Sequence, residues 1–186
     1  QQLGQELLQR VERPQLVLCI SAHWITQGQG SLLTGMAQPK TIHDFGGFPQ
    51  ALFDVQYPAP GDPELAAETT QIIKSTQVEM DHDWGLDHGT WTVVRHMYPD
   101  ANIPVLQLSI DYSKPASYHY ALAKELAALR KKGVLVIGSG NIIHNLRMVA
   151  WNKVNEPEYG YDWALELKET FRKLIEQKDH IPLIDY

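Results

Sequence analysis

Short apolar runs alternate along this chain with longer stretches whose apolar residues recur at helical spacing. The runs at residues 16–22, 78–81, 105–110 and 134–138 are rich in Val, Ile and Leu and predict strands. Two of them read as strands covered on both faces. Helical spacing marks 63–75, 90–97 and 115–132, where Leu122, Leu126 and Leu129 share one face and Gly133 supplies a C-cap. A last helix is expected at 163–178, after a connection at 152–160 rich in Asn, Pro and Gly. This alternation predicts an α/β fold with a mostly parallel or mixed central sheet flanked by helices. Residues 1–186 read as one domain, with no internal repeat and no boundary.

Residues 38–61 follow neither period. Pro39, Pro49, Pro58, Pro60, Gly46, Gly47 and Gly61 surround His43, Asp44 and Phe45. A segment this long without regular structure serves either as a binding loop or as an Ω-loop sealing the core.

Composition narrows the function classes. With 44% hydrophobic residues the chain can bury a core, which excludes intrinsic disorder. Its 16 basic and 22 acidic side chains give a net charge of −6, a surface unsuited to nucleic acid, and no basic amphipathic helix suits a membrane. The apolar runs are far shorter than the roughly 20 residues that span a bilayer. Cys19 is the single cysteine and lies in an apolar run, so it is expected to be a buried thiol in a cytoplasmic protein.

In open α/β sheets ligands gather at the carboxyl ends of the strands. The first strand runs into Ser21-Ala22-His23-Trp24 and the fourth into Gly138-Ser139-Gly140-Asn141, with His144 in the helix that Asn141 is expected to cap. His23 and His144 are thereby expected on one sheet edge. His88 lies between glycines just before a helix, beside Asp87. Neutral imidazole is the commonest metal ligand, and strand ends hold it rigidly. His82, His96, His119 and His180 read as structural or solvated. Neither His-Glu-x-x-His, paired Cys-x-x-Cys nor a nucleotide-binding glycine pattern is present.

Ser21-Ala-His-Trp24, Thr41-Ile-His-Asp-Phe-Gly-Gly-Phe-Pro49, Tyr57-Pro-Ala-Pro-Gly61, Leu86-Asp-His-Gly-Thr-Trp91, Val105-Leu-Gln-Leu-Ser109 and Gly138-Ser-Gly-Asn-Ile-Ile-His-Asn-Leu-Arg147 occur in this order. Together they resemble the class III extradiol ring-cleavage dioxygenases, in the 4,5-DOPA dioxygenase-like branch. The resemblance implies an enzyme that opens the ring of a catechol such as DOPA with O2 at a non-haem Fe(II), with zinc as the alternative bound metal. It implies His23 as a metal ligand and His144 as the acid/base over catechol and dioxygen, or as a further ligand. His88 resembles the histidine that hydrogen-bonds substrate or oxygen, and His43, Asp44 and Phe45 resemble the lining of the substrate pocket.

The family opens with a strand ending in a Gly-His-Gly-Ser-Pro-like turn and closes with a His- or Glu-bearing segment. Neither is found here, so the chain is expected to be a fragment, with 1–10 the helix after that first strand. Two other readings stay open: a catalytically silent protein of the same fold holding a small aromatic or zinc, and a zinc hydrolase using Asp44, Asp87 or Asp111. The sequence leaves the oligomeric state open, a homo-oligomer included. Trp24, Phe45, Phe48 and Trp91 suit a planar ligand or a core equally well.

Overall fold

The computed structural model describes residues 6, 9, 12–157 and 159–185. They form two compact units, 1–140 and 141–186. The expected helix at 1–10 lies, except for helical Glu6 and Gln9, outside the described residues.

The first unit holds a five-stranded sheet. Its strands are β1 (Leu16–Thr26), β2 (Ser31–Thr34), β3 (Val78–Asp81), β4 (Val105–Asp111) and β5 (Val134–Ser139). The order is β3-β2-β4-β1-β5, parallel except for the antiparallel contact of β2 with β4 at Leu33 and Leu108. The mixed α/β sheet is therefore as expected. The period-2 alternation of side chains sorts the core onto two faces. Leu16, Leu18, Leu106, Leu108 and Val134 pack on one face, under α2 (Pro63–Ile72) and α4 (Ala116–Leu126). Val17, Val105, Leu135 and Ile137 face the other way, onto Trp91, Val94 and Met97 of α3 (His88–Met97) and onto Tyr57 and Ala59 of the irregular segment.

Several boundaries differ from expectation, each for a local reason. The first strand runs on to Thr26, because Ile25 and Thr26 pair again with Ile110 and Asp111. β2 escapes the sequence pattern, since four residues between Gly30 and Gly35 are too few to show a period. α3 starts at His88 rather than Thr90, where Asp87 accepts the Thr90 N–H at 3.1 Å as N-cap. The 115–132 helix tightens after Leu126 into a 3₁₀ stretch, Ala127–Lys132, and Gly133 closes it at φ 74, a left-handed angle suited to glycine. Residues 38–61 are irregular apart from α1 (Gln50–Phe53) and a bridge from Thr41 to Leu86.

In the second unit a correction concerns Asn141, which caps no helix. Residues 141–145 are non-helical, and Asn145 instead accepts the Arg147 N–H at 3.1 Å to start a 3₁₀ turn, Leu146–Met148. Of the two asparagines, the second has the chain turning just after it. His144 is exposed and precedes that turn. A second turn (Trp151–Lys153) leads to α5 (Asp162–Gln177) and α6 (Ile181–Ile184). Among the described residues no helix is long and apolar enough to cross a membrane.

Candidate active site

The ladder of β1 is interrupted where its chemistry lies. β1 pairs with β4 up to Ile20 and resumes at Ile25, while its pairing with β5 ends at Ser21. His23 falls in this unpaired stretch, at the carboxyl end of the strand. Irregularities of this kind re-aim a side chain and favour functional sites.

A buried polar network fixes the two histidine-bearing segments to each other. Asp87 is fully buried and accepts the Ser21 hydroxyl at 2.8 Å on Oδ1 and the Gln107 amide at 2.5 Å on Oδ2. The Asp87 N–H donates in turn to Gln107 Oε1 at 3.2 Å. Ser21 Oγ accepts the His23 backbone N–H at 3.2 Å, so one carboxylate anchors β1, β4 and the first turn of α3. Ser139 Oγ donates to the Gly89 carbonyl at 2.5 Å and adds β5. The close approach requires glycine: a Cβ on Gly89 would stand 2.5 Å from Ser21 Oγ and 2.8 Å from His23 Cδ2. Cys19 lies on the same strand, where burial pushes its thiol pKa up to about 11 and keeps it neutral.

His23 and His88 face each other with ring centroids 3.8 Å apart. The irregular segment brings Asp44 to them. Its Oδ1 accepts the His88 backbone N–H at 2.8 Å and lies 2.9 Å from His88 Nδ1, and its Oδ2 lies 4.0 Å from His23 Nδ1. Partial burial works to raise the Asp44 pKa, but the hydrogen bond from the His88 N–H and the close approach of the His88 ring outweigh it and hold the carboxyl below its ordinary value. His88 Nδ1 is buried and, despite its closeness to Asp44, has no well-aligned hydrogen bond. Such a nitrogen is available to a proton or a cation.

One ligand atom from each of His23, Asp44 and His88 falls within 4.8 Å of the other two. Two imidazoles and a carboxylate suit a divalent transition metal, and the donor set fits iron or zinc. In the sequence Asp44 was legible as part of a pocket lining or as a hydrolase carboxylate, but not as the partner of both histidines, because His88 lies 44 positions away. Asp87 and Asp111, the other candidate carboxylates, are consumed elsewhere: Asp111 accepts the N–H groups of Gly28, Gly30 and Ser113 in a turn.

Beside His88 opens a cavity of about 200 Å³ lined by Phe45, Phe48, Leu52, His88, Trp91 and Thr92. Phe45 meets His88 edge-on at 5.4 Å. Of the aromatic residues in doubt, Phe45 and Phe48 line the cavity. Trp24 is core, stacked on Trp84 at 5.6 Å, and Trp91 is buried with one face to the cavity. His43 is not a cavity residue: its Nε2 engages the Val55 carbonyl at 2.8 Å and its ring packs on Trp91, which braces the segment that carries Asp44. His144 belongs to the second unit and is exposed there.

The model of the catalytic LigB subunit of aromatic ring-opening dioxygenase matches residues 1–184. The chain is 47% identical over 189 residues to a 4,5-DOPA dioxygenase extradiol of Escherichia coli (strain K12), covering 98% of this chain and 67% of that protein. It is 41% identical over 136 residues to a protein of the same name from Mirabilis jalapa, covering 72% of this chain and 50% of that one. The crystal structure of an uncharacterized protein from Escherichia coli K12 superposes with a TM-score of 0.77 at 37% identity, covering 100% of this chain and 71% of that one. The chain thus belongs to the LigB family, in the 4,5-DOPA dioxygenase-like branch of the class III extradiol dioxygenases. It spans about two thirds of the bacterial relative and half of the plant relative.

Proposed function

We propose that this protein is a non-haem metal-dependent extradiol dioxygenase that opens the ring of a catechol, of which DOPA is the example named by its relatives, using O2. The observation that carries the reading is the His23, Asp44 and His88 cluster abutting an aromatic-lined cavity of one-ring size. The residues that would hold the metal are His23 and Asp44, with Fe(II) the expected ion for activity and zinc able to occupy the same donors. When bound, the ion supplies Lewis acidity that lowers the catechol hydroxyl pKa, and a redox centre for dioxygen.

The chain's own residues do the rest. Phe45, Phe48 and Trp91 clamp an aromatic ring and exclude water from its faces. His88 lines the cavity, unlike His23 and Asp44, so it is the group that meets the substrate hydroxyl. The ring nitrogen turned away from Asp44, Nε2, takes the proton, and the Asp44 carboxylate 2.9 Å from Nδ1 stabilises the imidazolium that results. The same histidine later returns the proton to the product. For His144, proton transfer is proposed from the family resemblance alone. The buried thiol of Cys19 suits a reducing cytoplasm.

Single substitutions separate these roles. His88→Ala should lower ring cleavage by about 10²–10⁴-fold while bound metal stays near the parent level. Parallel loss of metal would make His88 a ligand instead. His144→Ala, assayed in the same way, should also retain metal, and unchanged turnover would remove it from the mechanism.

A further inference from the structure

The irregular segment delivers Asp44 to the two histidines by a short series of ties. Beyond the bridge at Thr41, two side chains take the place of ladder hydrogen bonds between the outgoing and the returning arm of the segment. Thr41 Oγ1 accepts the Tyr57 N–H at 2.9 Å, and His43 Nε2 donates to the Val55 carbonyl at 2.8 Å. Because a carbonyl only accepts, the hydrogen of the neutral His43 ring stands on Nε2. Ile42 between them is held through its backbone: its N–H donates to the Leu86 carbonyl at 2.8 Å, and its carbonyl accepts the Trp91 indole N–H at 2.8 Å. The His43 bond is thus the last tie before Asp44, and it closes residues 44–54 into a loop.

Past that tie the loop is loosely supported. Gly46 and Gly47 follow at once, both exposed, with nothing beyond their chain neighbours within 4 Å of where a Cβ would stand. The hydrogen bonds from Leu52 to Pro49 and from Asp54 to Gln50 stay inside the loop. Asp44 must nevertheless meet the His88 N–H, which lies in the first turn of α3 where a helix offers no acceptor of its own. We infer that His43 is a positioning residue: by fastening the loop at Val55 it holds the Asp44 carboxylate against His88 and His23. It lies outside the cavity and acts through Asp44. The inference deepens the dioxygenase reading above, on which its consequence for metal binding rests.

Two substitutions separate the hydrogen bond from the shape of the ring. His43→Phe keeps an aromatic ring beside Phe45, Phe53 and Trp91 but removes the donor, and His43→Gln keeps an N–H donor of similar reach without the ring. The first readout is amide hydrogen exchange of the metal-free protein by NMR. In His43→Phe the His88 N–H should exchange about 5- to 10-fold faster, the scale of one hydrogen bond, while the core amide of Leu18 stays within about twofold of the parent. His43→Gln should keep the parent rate at both positions. An unchanged His88 rate in His43→Phe, an equal acceleration at Leu18, or a glutamine variant as fast as the phenylalanine one overturns the inference. His43→Leu, a smaller variant without the donor, gives the same comparison if the phenylalanine ring prevents folding. The second readout is the affinity for Zn²⁺, which should fall about 10-fold in His43→Phe and return in His43→Gln, as when the support of a ligand is disturbed. A parent protein that binds neither zinc nor iron overturns the metal-dependent reading, and the exchange rates still decide the role of His43.

Discussion

Asp87 and Gln107, 20 positions apart in sequence, exchange two hydrogen bonds in the core, one from the glutamine amide to Asp87 Oδ2 and one from the Asp87 N–H to Gln107 Oε1. Through Ser21 the same carboxylate reaches the backbone of His23. The geometry of the site is thus inherited from a polar network beneath it rather than from the exposed ends of the loops. Replacing Asp87 by Ala strands the Gln107 amide and the Ser21 hydroxyl in the interior. Each unsatisfied buried group costs about 1–3 kcal/mol, so a total loss of about 2–6 kcal/mol is expected in urea unfolding. A variant as stable as the parent would show that the network contributes nothing to folding.

Gly89 sets the distance between α3 and β1. In Gly89→Ala the new methyl meets Ser21 Oγ and His23 Cδ2 well inside contact distance, and His23 must move. The expected result is a folded protein by circular dichroism whose affinity for a divalent metal falls about 10- to 100-fold, the scale seen when the support of a ligand is disturbed. Unchanged affinity, measured by titration with Fe(II) under nitrogen, would mean that His23 does not hold the ion.

What the chain displays openly and what it conceals follow from the range of the interactions. Leu16–Ile20 announces a buried strand because every residue in it is apolar, whereas His23 to Thr26 mixes polar and apolar positions and hides the continuation of β1. His23 and His88, whose rings the fold brings together, were legible as candidate site residues from their places at a strand end and a helix start. The joining of Asp44 to both was not, because it depends on the path of an irregular segment that no period describes. Gln107, a polar residue inside an apolar strand, was the one local signal of the buried network. Asn141 misled because an asparagine before a turn favours capping whether or not the next residues can bury a helical face, and Ile142, Leu146, Met148 and Val149 are all exposed.

A pH dependence of stability is expected from Asp111. Hydrogen bonds from the Gly28 N–H, then from the Ser113 hydroxyl, hold its carboxyl well below the ordinary value. A group whose pKa is depressed by folding stabilises above its unfolded value and loses that contribution as pH falls through its folded one. Asp111→Asn should therefore be less stable than the parent at pH 7, and the difference should shrink steadily below about pH 4, the unfolded value. Unfolding curves at a series of pH values check this. A difference that grows on acidification would contradict it.

The central claim is that the His23, Asp44 and His88 cluster serves metal-dependent opening of a catechol ring. The most direct measurement is oxygen uptake by the anaerobically Fe(II)-loaded protein on addition of a catechol, with the product followed by absorbance and mass. One O2 consumed per ring-opened product, abolished together with bound iron in His23→Ala, is the expected result. No uptake by protein that demonstrably holds iron, across simple catechols, would contradict the claim and leave a silent binding protein of the same fold.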